Sequence, residues 1–322
     1  MSVTAGSYTV GSGGNYSQWF DTAVNGGAWA SIGTPLTGNL TLTQISNTNE
    51  TVAGETISIA LAGYTLLITS AAHKGNPTAG YKINMGVTGN GFAFTNATST
   101  GIVEFSNLNM KRTVQNTTSG SGLIVPTATV AENVWKIHDC ILDENATALG
   151  NTYGSCIARS GVGQTWNMQM FNLFLNDFKV TGMAVGGTRT LVYENITIYS
   201  AVAGATGITH SLNTCTIRNF YVSAATCYGS NATVGAFCAS SDLTGTVGLR
   251  SLSASTQLQS TDITAYNFMD VLPTGKLWQF KNAMTYLPGH TTDIHGRRLP
   301  NNRGYHSIGA SAAWANQVID GA

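Results

Sequence analysis

Charge is what this sequence has least of. Of 322 residues only 15 are Lys or Arg and 15 are Asp or Glu, 9% in all, and the formal net charge is zero. An ordinary globular domain is about a quarter charged, so another polar supply must cover the surface. Here it is 44 Thr and 27 Asn, with 37 Gly beside them. A neutral chain with a pI near 7.0 lacks the basic footprint that holds nucleic acid or an anionic membrane without sequence specificity. Neither is an expected partner. Long apolar runs are missing too: nothing approaches the roughly 18 consecutive apolar residues of a membrane span. The start, Met1-Ser-Val-Thr-Ala-Gly-Ser-Tyr8, has neither the basic nor the apolar region of a signal peptide. Assembly in a cytoplasm is expected.

Metal and redox chemistry are also poorly supplied. The five cysteines (Cys140, Cys156, Cys215, Cys227 and Cys238) are odd in number and show no CxxC spacing, which argues for buried reduced thiols over a disulfide framework or a zinc site. No histidine stands in an HxxxH or HExxH arrangement, and no metal or other cofactor is expected. What the chain does have is apolar mass: 43% of it is hydrophobic and its mean hydropathy is +0.05. That is enough to bury a core and excludes intrinsic disorder.

The core is periodic. A unit apolar-x-(Asn/Asp)-apolar-x-apolar recurs at Phe105-Ser-Asn107-Leu-Asn-Met110, Ile137-His-Asp139-Cys-Ile-Leu142, Met170-Phe-Asn172-Leu-Phe-Leu175, Tyr193-Glu-Asn195-Ile-Thr-Ile198 and Ile217-Arg-Asn219-Phe-Tyr-Val222. Weaker copies stand at Asp242 and Asp262. The Asn/Asp positions lie 32, 33, 23, 24, 23 and 20 residues apart, an interval that suits one coil of a solenoid per copy. Within each copy apolar residues alternate with period two and the copies are rich in β-branched and aromatic residues, so the coils are made of strands. Stacked parallel strands form columns of inward side chains: Val103, Trp135, Met168, Leu191 and Cys215 in one; Phe105, Ile137, Met170, Tyr193 and Ile217 in the next; Leu108, Cys140, Leu173, Ile196 and Phe220 in a third. Asn107, Asp139, Asn172, Asn195 and Asn219 then mark a sharp bend, where their side chains are placed to hydrogen-bond along the stack at the roughly 4.8 Å strand spacing.

Those copies resemble the pectate-lyase-like right-handed parallel β-helix family. Tyr8-Thr-Val-Gly-Ser-Gly-Gly-Asn15-Tyr-Ser-Gln-Trp-Phe-Asp21-Thr-Ala-Val24 resembles the short strand, Gly-rich turn and amphipathic helix that cover the first coil in that family. Ile57 to Ile68 resembles an opening coil, and Asp293-Ile-His-Gly-Arg-Arg-Leu-Pro300 with its continuation to Gly309 is similar to a closing segment of bacterial and phage β-helix proteins. The resemblance implies an all-β, right-handed, single-stranded parallel β-helix in one domain. Residues 1–30 would be an N-terminal cap with a helix, 31–275 the coils, and 276–322 a capping tail with Trp278, Phe280, Tyr286 and Trp314. Both ends of a solenoid expose strand edges and apolar columns, so caps are a physical necessity. The fold hosts lyases, hydrolases, adhesins and virion proteins, so it does not choose a function.

Candidate chemistry is thin. Glycoside hydrolysis needs two carboxyls within about 5 to 10 Å in a groove, and the densest acidic segment is Asp139, Asp143 and Glu144, with His138 and Lys136 nearby. Those three carboxyls are the weak catalytic candidates; the competing reading makes Asp139 a bend residue and Asp143-Glu-Asn145 a polar turn. Glu104 with Lys136, and Glu194 with Arg218, fall at equivalent positions of consecutive copies and read as cross-strand ion pairs. The outward positions beside the bend hold Phe171, Ile141, Phe174 and Tyr221, an apolar face that calls for cover by a partner, by the chain's own loops, or by stacked sugar. The low charge, free thiols and β-helix resemblance together imply a non-enzymatic structural protein of a phage virion surface, assembled in the host cytoplasm. A capsid decoration protein, head fibre or tail-associated β-helix fits, expected to be a homotrimer contacting the major capsid or a tail protein. The alternatives are a tailspike-type enzyme degrading host surface polysaccharide and a carbohydrate-binding or adhesin module.

Overall fold

A computed structural model of the chain describes residues 2–20, 27–96, 100–128, 133–158, 167–185, 191–210, 215–229, 238–243, 250–265, 268–269, 272 and 294–295. The period-two stretches become strands: β1 (Gly6–Val10), β2 (Leu40–Gln44), β3 (Thr48–Glu50), β4 (Thr56–Ile59), β5 (Thr65–Ser70), β6 (Lys82–Met85), β7 (Phe92–Asn96), β8 (Gly101–Ser106), β9 (Asn109–Arg112) and β10 (Gly122–Ala128). Four later strands run on through the bend, β11 (Asn133–Asp143), β13 (Asn167–Asn176), β15 (Leu191–Tyr199) and β17 (Cys215–Ser223); shorter ones alternate with and follow them, β12 (Ser155–Ile157), β14 (Thr181–Val185), β16 (Thr206–His210), β18 (Thr226–Tyr228) and β19 (Ala239–Ser240). Two four-residue helices, α1 (Ala146–Leu149) and α2 (Ala254–Gln257), complete the described elements.

Every pairing between these strands is parallel. One sheet runs β1-β2-β5-β8-β11-β13-β15-β17-β19, with β3, β6 and β9 joining it through β11; the other runs β18-β16-β14-β12-β10-β7-β4. The chain visits one sheet and then the other on each circuit, the topology of a parallel β-solenoid. The expected columns stand in backbone register: Leu40, Leu66, Val103, Trp135, Met168, Leu191 and Cys215 follow one another across six strand pairs. Phe105, Ile137, Met170, Tyr193 and Ile217 do the same one step along, all fully buried. The coils differ in loop length and not in this register, because a slip of one residue would turn every core side chain to the opposite face.

The bend is a backbone event. Asn107, Asp139, Asn172 and Asn195 have φ of 56°, 53°, 54° and 50°, a left-handed conformation that short amide and carboxyl side chains tolerate best after glycine. At the corner before the second sheet the backbones approach closely. A Cβ on Gly91 would lie 2.2 Å from the Leu123 carbonyl oxygen, so only glycine fits there.

At the first coil, Trp19, Phe20 and Trp29 close around Phe92 edge-on, with ring centroids 5.1, 5.0 and 5.1 Å away. Glu50 holds this cover in place: its buried carboxylate accepts the backbone N–H groups of Trp19 (3.1 Å) and Phe20 (2.9 Å). The cap helix was expected after the Gly-rich turn, up to Val24: its described part, residues 15–20, contains no helix, and residues 21–26 and all of the 276–322 tail except 294–295 lie outside the described residues.

The last strand described is β19. Among the described residues, neither Asp242 nor Asp262, the weak copies of the repeat, stands in a strand. Asp262 instead forms an Asx turn, its Oδ1 accepting the Thr264 N–H at 2.8 Å, because Asp before Thr serves a turn as readily as a bend. Cys140, Cys156, Cys227 and Cys238 are buried free thiols; the side chain of Cys215 lies outside the described residues. No helix among the described residues is long and apolar enough to cross a membrane.

Candidate functional site

The bend and the stretches on either side of it gather the charged and apolar residues singled out in the sequence. All lie on β11 and its neighbours. Asp139 Oδ1 accepts from Asn172 Nδ2 at 2.9 Å, and Asn172 Oδ1 accepts from Asn195 Nδ2 at 3.4 Å, so the bend side chains bond from coil to coil. Asn219 follows in the repeat; its side chain lies outside the described residues.

Beside the bend, Glu104, Lys136, His138 and Phe171 form a half-buried strip. His138 donates from Nδ1 to Asp139 Oδ2 (2.8 Å) and from Nε2 to Glu104 Oε1 (3.2 Å), while its ring stacks on Phe171 at 4.6 Å and 9°. Burial alone would push His138 down, but the bonds to Asp139 and Glu104 outweigh it and hold the ring up at about 9. The same bond from His138 lowers the Glu104 carboxyl. Lys136 Nζ stands 4.0 Å from Glu104 Oε2, the expected cross-strand couple with a histidine added. Glu194 and Arg218 are in register, with the Arg218 side chain outside the described residues.

Past the bend the remaining acids are buried. Glu144 is fully buried and accepts two bonds from an equally buried Arg112, Nε to Oε2 at 2.7 Å and Nη2 to Oε1 at 3.1 Å. Arg112 spends its other donors on the carbonyls of Val87 (2.6 Å) and Gly89 (2.9 Å). Burial raises the Glu144 carboxyl, and the guanidinium opposes that rise. Asp143 is buried as well, accepting Asn176 Nδ2 (2.9 Å) and the Asn145 N–H (3.0 Å), with Lys111 at 3.7 Å. Burial lifts it to about 6 against those partners. The polar segment expected after a strand at 143–145 does follow the end of β11 at Asp143, and its Asp143 and Glu144 side chains are buried against the neighbouring coils. With side chains 2% and 0% exposed, Asp143 and Glu144 cannot meet a polysaccharide. Asp139, the third catalytic candidate, is half-buried and committed to bonds with His138 and Asn172.

The expected interface is covered from within. Ile141, Phe174 and Tyr221 are fully buried beneath Ala239, Leu252, Leu258, Phe268, Met269 and Ile294 of the same chain. Tyr221 donates its hydroxyl to the Leu252 carbonyl at 2.7 Å, and Phe268 meets Phe174 edge-on at 5.6 Å and 89°. These three residues are thus unavailable to a second subunit; the segment after β19 folds back and takes the place assigned to a partner. Phe171 differs, being half-buried against His138.

Arg112, His73 and Glu50 were missed as site residues by pattern reading. Arg112 had a signal, since it precedes Glu144 by the same 32 residues that separate Asn107 from Asp139. Among the described residues no group of three or more His, Cys, Asp or Glu side chains is arranged to hold a metal ion. Compared with protein-family models, curated proteins and solved structures, the chain matches none of them.

Proposed function

We propose that this chain is a non-enzymatic structural protein of a phage virion surface, a capsid decoration protein, head fibre or tail-associated element built on a right-handed, pectate-lyase-like β-helix. One observation carries the reading. The carboxyls best placed for chemistry are consumed in bonds between coils, above all Glu144 against Arg112 with both side chains fully buried. A rigid solenoid with a Thr/Asn-rich, weakly charged exterior suits a scaffold held against the major capsid or a tail protein. Homotrimeric assembly remains part of the proposal on the resemblance alone, and it would use a face other than Ile141, Phe174 and Tyr221. Purified protein incubated with bacterial capsular and plant polysaccharides should release neither reducing ends nor unsaturated products, and release of either would sink this reading. Light scattering gives the subunit number, and cryo-electron microscopy of virions carrying the chain should place it on a head or tail surface.

A second reading, a tailspike-type enzyme or glycan-binding module acting on host surface polysaccharide, draws on the half-exposed Glu104–His138–Asp139 cluster beside Phe171. It predicts that Phe171→Ala abolishes retention on a polysaccharide that retains the native protein. Retention equal for both would remove its support.

A further inference from the structure

The loop 71–81 between β5 and β6 contains a buried histidine with a fixed proton. His73 is 1% exposed, and its Nδ1 lies 3.0 Å from the backbone N–H of Gly75. A backbone amide only donates, so Nδ1 must be the unprotonated acceptor. Nε2 lies 2.8 Å from the carbonyl oxygen of Asp139, which only accepts, so Nε2 carries the hydrogen. The geometry thus specifies a neutral ring, and a second proton on Nδ1 would break the contact with Gly75.

That contact shapes a turn on which another segment rests. Lys74 and Gly75 both have positive φ, 50° and 71°. His295 Nδ1 donates to the Lys74 carbonyl at 2.7 Å, and its ring lies so close to Gly75 that a Cβ there would come within 2.5 Å of Cε1. His295 also packs edge-on against Phe174 at 6.1 Å, beside the buried Ile294. His295, next to Ile294 of the cover over the apolar face, is therefore seated on the turn that neutral His73 holds. The charged or titratable groups facing His73 are the Asp139 carboxyl from the bend, already bonded to His138 and Asn172, Lys74 from its own loop, and His295 from the covering segment.

We propose that His73 is the acid trigger of a clasp: its protonation dismantles the 73–75 turn, unseats His295 from Phe174, and loosens the packing of Leu252, Leu258, Phe268, Met269 and Ile294 over Ile141, Phe174 and Tyr221. Burial lowers the His73 pKa from 6.5 to about 4, against the opposing pull of Asp139. For a base with a lowered folded value, the stabilisation is whole above 6.5 and is lost as pH falls from 6.5 towards 4. At pH 5 linkage between those two values shifts the clasped-to-open ratio by roughly 30-fold.

Hydrogen exchange on the full chain tests this. Protection factors of amides at 252–258 and 268–269 should fall about 30-fold between pH 7.5 and 5.0, while those at 140–142 and 173–175 hold. His73→Gln keeps a donor for the Asp139 carbonyl and an acceptor for Gly75 without a titrating group, so its protection should be the same at both pH values. Unchanged protection in the native protein, or a pH response retained by His73→Gln, would overturn the clasp. Should that variant not fold, nitrogen NMR of histidine-labelled native protein decides: His73 should be an Nε2–H tautomer at pH 7.5 and should protonate together with the loss of protection. Protonation with protection retained would equally overturn it.

Discussion

Arg112 and Glu144, 32 residues apart in sequence, meet as a two-point ion pair inside the solenoid, with no part of either side chain exposed. The pair bridges β9 and the end of β11, and through the Val87 and Gly89 carbonyls it also ties down the turn after β6. Removing one partner leaves an uncompensated buried charge, whereas replacing both by apolar groups of similar volume removes the desolvation problem altogether. Arg112→Met or Glu144→Leu alone is expected to cost about 3–5 kcal/mol. The double variant should be less damaging than the sum, with the carbonyls of Val87 and Gly89 left to water. Urea unfolding of the four proteins gives the coupling directly, and additive losses would contradict the pairing.

The bend column makes a different demand, on backbone conformation. Asn172 sits at φ 54° and bonds its amide to Asp139 on one side and Asn195 on the other. Asn172→Gly keeps the backbone at ease and loses the side-chain bonds; Asn172→Ala loses both. Alanine should cost more than glycine, by about 1 kcal/mol, in thermal or urea unfolding. The opposite order would mean that the left-handed bend contributes little.

His138 makes stability fall in alkali. Its pKa rises from 6.5 to about 9, so the charged ring stabilises the fold fully below 6.5 and loses that contribution as pH climbs through 9. The loss is on the order of 3 kcal/mol. His138→Gln should flatten the decline in urea midpoint between pH 6.5 and 9.5, and an equally steep decline in the variant would assign the effect elsewhere. This trend is opposite in sign to the acid response of His73, so the two histidines can be separated by pH alone.

Glu50 anchors the cover of the first coil by accepting two backbone N–H groups within a buried site. Glu50→Ala leaves both donors unsatisfied and should cost about 2–4 kcal/mol. The loss should appear first at the N-terminal end: tryptophan emission from Trp19 and Trp29 should shift to the red, and proteolysis should begin before residue 40. A variant that melts only as a whole, with native emission up to that point, would show that the cover does not depend on Glu50.

By itself the sequence determined the coil. Period-two alternation, a 23- to 33-residue interval and an Asn/Asp at each sharp bend prescribe stacked strands, since a repeated local conformation has few ways to bury a repeated apolar column. It even carried the Arg112–Glu144 pair, in two charges spaced by one coil. Only the tertiary structure decided what covers the outward face. Ile141, Phe174 and Tyr221 read the same whether a second subunit or the chain's own return segment lies over them, because an apolar side chain records the need for cover and not its source. His73 and His295 were equally opaque: their turn and ring meet across more than two hundred residues, and no local pattern encodes that contact.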